Sequence, residues 1–106
     1  MSKDTERKTA MTALNAKIEE LKARLVKIPD KIEQLEDARR EILTKSVKKS
    51  KELHEAGDMK ASKEATDLAR AELRGVNQSI EDQHKEQARI NAEIAKLEKE
   101  KAKLLT

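Results

Sequence analysis

The chain has 106 residues, 42% of them charged and 36% hydrophobic, with a formal net charge of +3 and no Phe, Trp, Tyr or Cys. Strands draw on β-branched and aromatic residues, and disulfides and thiolate metal centres need cysteine, so a sheet protein, a disulfide scaffold and a thiolate metal site are all excluded. The remaining profile, rich in Ala, Glu, Lys, Leu and Arg, is that of long or coiled-coil helix.

The opening residues, MSKDTERKTAMTALNAK, contain no continuous apolar stretch of signal-peptide type. No apolar run approaches the roughly 18 residues that a membrane span requires. A cytoplasmic protein with no membrane partner is the expectation.

From Met11 the apolar residues recur at Leu14, Ile18, Leu21, Leu25, Ile28, Ile32 and Leu35, and Ile42 continues the phase. Alternate spacings of three and four put them on one stripe of a helix, the pattern of a coiled-coil seam. Pro29 lies inside this run. Proline removes its own N–H and leaves the carbonyl four residues earlier, that of Leu25, without its helical donor. A kink near Pro29 is therefore expected, the alternative being that Pro29 opens a new helix.

The stretch HEAGDMK at 54–60 breaks the helical pattern. Glycine enters the left-handed region without steric cost just past a helix end, and aspartate caps the free N–H groups of a helix start. Gly57 followed by Asp58 supplies both, which predicts a turn at 57–58, a first helix over 5–56 and a second over 58–105. The second helix carries its own seam at Leu73, Val76, Ile80, Gln83, Gln87, Ile90, Ile94, Leu97, Lys101 and Leu104. In an antiparallel pair reversing at Gly57, facing residue numbers sum to roughly 114. That register sets Arg39 opposite Gly75, where a missing side chain leaves room for a long one, and Pro29 opposite the stretch holding Gln83, His84 and Gln87.

The predicted fold is all-α: one domain over 1–106, a long antiparallel helical hairpin of coiled-coil type. A narrow two-helix seam buries little surface, and chains of this kind gain stability by self-association. Leu43, Val47, Ala61, Ala65, Leu68 and Ala69 broaden the apolar face near the turn beyond what two helices use. Dimerisation into a four-helix arrangement, or cover by another protein, is the expectation. The residues assigned to the seam of self-association are Leu14, Ile18, Leu21, Leu25, Ile28, Ile32, Leu35, Ile42, Ile80, Ile90, Ile94 and Leu97.

Enzyme signatures are nearly absent: there is no Gly-rich phosphate loop, no Cys nucleophile and no HExxH. Glu81 and His84 match the Glu-x-x-His spacing of di-iron bundles. Ile80 and Gln83 take the inward positions there, so a solvated charged face is expected and no metal. His54 with Asp58 fits a helix-end capping arrangement. No catalytic residue, cofactor or small-molecule substrate is assigned.

Residues 1–38 hold eight basic and eight acidic side chains, residues 76–106 six of each, and residues 39–75 ten against seven. The net positive charge concentrates in Arg39, Arg40, Lys45, Lys48, Lys49 and Lys51, with Glu41 the one acid among them. These six are the candidate partner- or phosphate-binding residues. The sequence thus points to a non-enzymatic coiled-coil interaction protein, a scaffold, adaptor or assembly chaperone. The alternative is a nucleic-acid-associated protein whose 39–51 stretch grips phosphates non-specifically, each contact releasing counterions.

Overall fold

A computed structural model of the protein describes residues 3–106. Two helices account for nearly all of them, α1 (Lys3–Glu55) and α2 (Met59–Leu105), and no strand occurs among the described residues. The first helix starts two residues before the predicted position and ends one before it. Asp4 and Glu6 lie in its first turn, where carboxylates favour the positive end of the helix. α2 begins at Met59, not residue 58, because Asp58 serves as its cap and lies outside it.

The reversal is built from backbone geometry. Gly57 has φ of 78°, in the left-handed region. Its N–H donates to the His54 carbonyl at 3.0 Å, and the Asp58 N–H donates to the Leu53 carbonyl at 2.9 Å. This pair of bonds is the Schellman arrangement, which occupies carbonyls that the end of α1 would otherwise leave free. The Asp58 carboxylate then accepts the Ala61 N–H at 3.0 Å, and its carbonyl accepts the Ser62 N–H at 3.0 Å. Two consecutive residues therefore end one helix and start the next.

The packing divides the chain into two units. The terminal unit comprises the described residues up to Asp30 together with His84–Thr106, and the turn unit is Lys31–Gln83. In each, a stretch of α1 lies antiparallel to a stretch of α2.

In the terminal unit Ile18, Ile28, Ile90 and Leu97 are buried, each no more than 4% exposed. Met11, Leu14, Leu21, Leu25, Gln87, Ile94, Lys101 and Leu104 are half-buried around them. Glu86 ties the two helices: its carboxylate accepts Arg24 Nη2 from α1 at 2.7 Å and also pairs with Arg89 one turn along α2. α1 runs through Pro29 as one helix, so Pro29 does not open a new one. No hydrogen bond joins the Leu25 carbonyl to the Gln87 amide among the described residues.

In the turn unit Ile80 and Ala69 are the buried apolar residues, with Ile32, Leu35, Ile42, Leu73, Val76 and Gln83 half-buried. Every predicted seam position in both helices is thus buried or half-buried within the chain itself. The seam joins α1 to α2 within each unit.

Hydrogen-bonded pairs across the helices, Arg24 with Glu86, Arg39 with Asn77 and Ser50 with Ser62, give residue sums from 110 to 116 and bracket the expected register. One expectation fails. Gly75 is exposed and a Cβ there would meet nothing within 4 Å, so it makes no room for Arg39, which instead donates to the Asn77 side chain at 3.2 Å.

The two glycines should respond oppositely to alanine. Gly57→Ala puts a β-carbon in the left-handed region, a cost of about 1–2 kcal/mol. Gly75→Ala fills open space in a helix interior, a gain of about 0.5–1 kcal/mol. Urea unfolding followed by circular dichroism measures both, and equal signs would contradict the described turn.

Candidate functional site

The seam changes character along the turn unit. Beyond Ile42 toward the reversal, the inward positions of α1 are Ser46, Ser50 and Leu53, and those of α2 are Ala61, Ser62, Ala65, Thr66 and Ala69. Small side chains at facing positions let helix backbones come close and leave few large groups to bury. Ser62 is 8% exposed and is the one buried polar residue among those described.

The hydroxyls here satisfy one another. Ser62 donates to the Ser50 carbonyl at 3.2 Å, and Thr66 donates to the Ser62 carbonyl at 3.0 Å. The Ser50 hydroxyl lies 2.9 Å from that of Ser62. Each hydroxyl has one proton, so with Ser62 and Thr66 committed to carbonyls the Ser50 proton goes to Ser62 Oγ. No buried side-chain polar atom lacks a partner among the described residues.

Two grooves flank this layer. The first has a volume of about 360 Å³. Ala38, Glu41, Ile42, Lys45, Ser46 and Lys49 of α1 form one wall, and Ala65, Leu68, Ala69 and Glu72 of α2 form the other. Its floor is aliphatic, and Leu68 stands beside it 61% exposed. The second groove, about 380 Å³, is lined by Ser46, Val47, Ser50, Lys51, His54 and Thr66.

The six basic residues singled out in the sequence are not one stripe. Arg40 and Lys51 are about three turns apart and share one side of α1, whereas Lys45 and Lys49, about one turn apart, share another. Lys45 and Lys49 accordingly line the first groove and Lys51 the second. Three of the six are already engaged: Arg39 with Asn77, Arg40 with Asp37 at 3.1 Å and Lys45 with Glu41 at 2.7 Å. Lys48, Lys49 and Lys51 form no ion pair among the described residues.

The Lys45 ammonium, by hydrogen bond and then by charge, holds the Glu41 carboxyl below its ordinary range, and Glu41 raises Lys45 in return. Glu41's folded value is depressed, so its share of stability is present above the unfolded carboxylate range and lost as pH falls from there through the lower folded value. Lys45's value is raised, so its share is present below the unfolded ammonium range and lost as pH rises beyond. Both side chains are exposed and screened, so the pair steers geometry more than it stabilises.

Glu81 and His84 both take exposed positions, with Ile80 buried and Gln83 half-buried beside them. No group of three or more His, Cys, Asp or Glu side chains gathers where it could hold a metal ion among the described residues. No described helix is long and apolar enough to cross a membrane.

The hydroxyl layer and the Glu86 bridge are the features that sequence reasoning missed. The layer had a partly readable signal: Ser46 in α1, and Ser62 and Thr66 with Ala69 ahead of Leu73 in α2, keep the three-and-four spacing, whereas Ser50 lies one residue off it. Comparison with protein-family models, curated proteins and solved structures finds no match.

Ser62→Ala removes a buried donor and the nearer acceptor of the Ser50 hydroxyl, leaving it Thr66 Oγ1 at 3.5 Å, a loss of about 1 kcal/mol. Ser79 is exposed and only bonds back to the Gly75 carbonyl at 3.1 Å. Ser79→Ala is therefore neutral or slightly stabilising. Paired urea titrations test the contrast, and equal effects at the two sites would remove the layer's assigned role.

Proposed function

We propose that the protein performs no chemistry of its own and works by helix–helix association, as a scaffold, adaptor or assembly chaperone that takes further helices onto its turn unit. The arrangement envisaged is a four-helix one, formed with itself and open to another protein, in a cytoplasmic setting. One observation carries this. Of the six large apolar residues exposed among those described, Leu43, Val47, Met59 and Leu68 lie in the turn unit, whose seam beyond Ile42 toward the reversal is mostly small or hydroxylated.

The energetics favour cover for such a surface. Full burial of one such side chain stabilises by about 1.5–3 kcal/mol. Near the reversal that gain is unrealised, since beyond Ile42 the inward positions hold only Leu53 as a large aliphatic residue among those described. Added helices packed on its flanks would realise it, in the manner of bundle cores.

Phosphate gripping is less well supported by the same residues. The basic side chains divide between two sides of α1, half of them are engaged, and there is no aromatic ring on which a base could stack. An enzyme reading lacks support from the first groove, which is lined by aliphatic, hydroxyl, ammonium and carboxylate groups without histidine.

Light scattering of the purified chain should give a mass above the 12.0 kDa of one copy. A strict monomer that also recovers no partner from cell lysate would contradict the proposal.

A further inference from the structure

We infer, resting on the association proposed above, that the first groove of the turn unit is the seat of a second copy of this chain, docked about a two-fold axis with Leu68 of each copy entering the groove of the other. A two-fold contact sets one surface against itself, so that surface must carry both the projection and the recess it fills. This one does. Leu68 stands 61% exposed at the edge of a floor made by Ile42, Ala65 and Ala69.

Charge identifies the occupant. The rim carries two ammonium groups, Lys45 and Lys49, and two carboxylates, Glu41 and Glu72. A surface of one sign repels its own copy, whereas a rim with equal numbers of both signs can meet itself with opposite charges facing. Glu41 and Lys45 are already paired within the chain. Lys49 and Glu72 are not, and they carry opposite charges on opposite walls. An acidic partner helix would satisfy the lysines and repel the carboxylates, and a basic one would do the reverse. A second copy supplies both signs in equal number.

The other groove lacks this property. Lys51 and His54 line it and no carboxylate does. Two copies meeting there would set like charges together, so the two flanks of the turn unit are not equivalent for self-docking.

Sedimentation equilibrium on the full chain tests the assignment with four variants. The unmodified chain is expected to weigh about two copies. Leu68→Glu should weaken dimerisation by about 100-fold, as when a central apolar anchor is lost, while Val26→Glu, at an exposed position of the terminal unit, leaves it unchanged. Lys45→Glu with Lys49→Glu makes an all-acidic rim, and Glu41→Lys with Glu72→Lys an all-basic one. Each should be monomeric alone, and an equimolar mixture should form the heterodimer. Recovery in the mixture requires both variants to be folded, so it cannot arise from misfolding. A monomeric native chain overturns the assignment, and helix association then stands or falls on a different partner. A native dimer that survives Leu68→Glu, or charge variants that stay dimeric alone or monomeric when mixed, also overturns it and places association on another face.

Discussion

The structure depends on one backbone requirement: the chain must pass through the left-handed region at residue 57 and leave it ready to start another helix. Gly57 meets the first half and Asp58 the second. With the reversal fixed there, the pairing register is fixed for both helices, because facing positions are then a matter of counting outward. The aliphatic stripe of α1 meets that of α2 only in this register. A shift of one or two residues would turn the stripes away from each other, which ties the identity of two turn residues to the burial of residues as distant in sequence as Ile18 and Leu97.

The two units spend their sequence differently. The terminal unit has isoleucine and leucine at its buried positions and adds a cross-helix ion pair through Glu86. Beyond Ile42 toward the reversal, the turn unit replaces large aliphatic side chains by alanine, serine and threonine where the helices face each other, and the unit places Leu43, Val47, Met59 and Leu68 outside. Apolar area kept on the outside contributes little to folding and much to association.

Most of this fold was legible in the sequence. Heptad spacing identified each seam position, including Gln83, Gln87 and Lys101, because periodicity depends on position and not on the hydrophobicity of any one residue. The turn was legible because only a glycine followed by a capping residue performs both tasks. The expectation for Gly75 failed for a related reason: a glycine was read as space made for a neighbour, although its place on the helix is exposed. The basic stretch is denser in sequence than in space, since residues adjacent in sequence are about 100° apart around a helix and scatter over its sides. The pairing of Glu86 with Arg24 was not legible, because solvent-facing charges on either side of a seam offer many combinations that spacing alone does not rank.

The claim that the chain reverses at Gly57 and Asp58 is tested most directly by a distance. The absence of cysteine allows single thiols to be placed by Lys8→Cys and Lys103→Cys, both in the terminal unit, and spin-labelled. Measured after dilution with unlabelled protein, the separation within one chain should be about 10–25 Å, the spacing of neighbouring helix axes plus two label tethers. A separation near the ~140 Å of one uninterrupted helix would contradict the reversal, and with it the pairing of the seams.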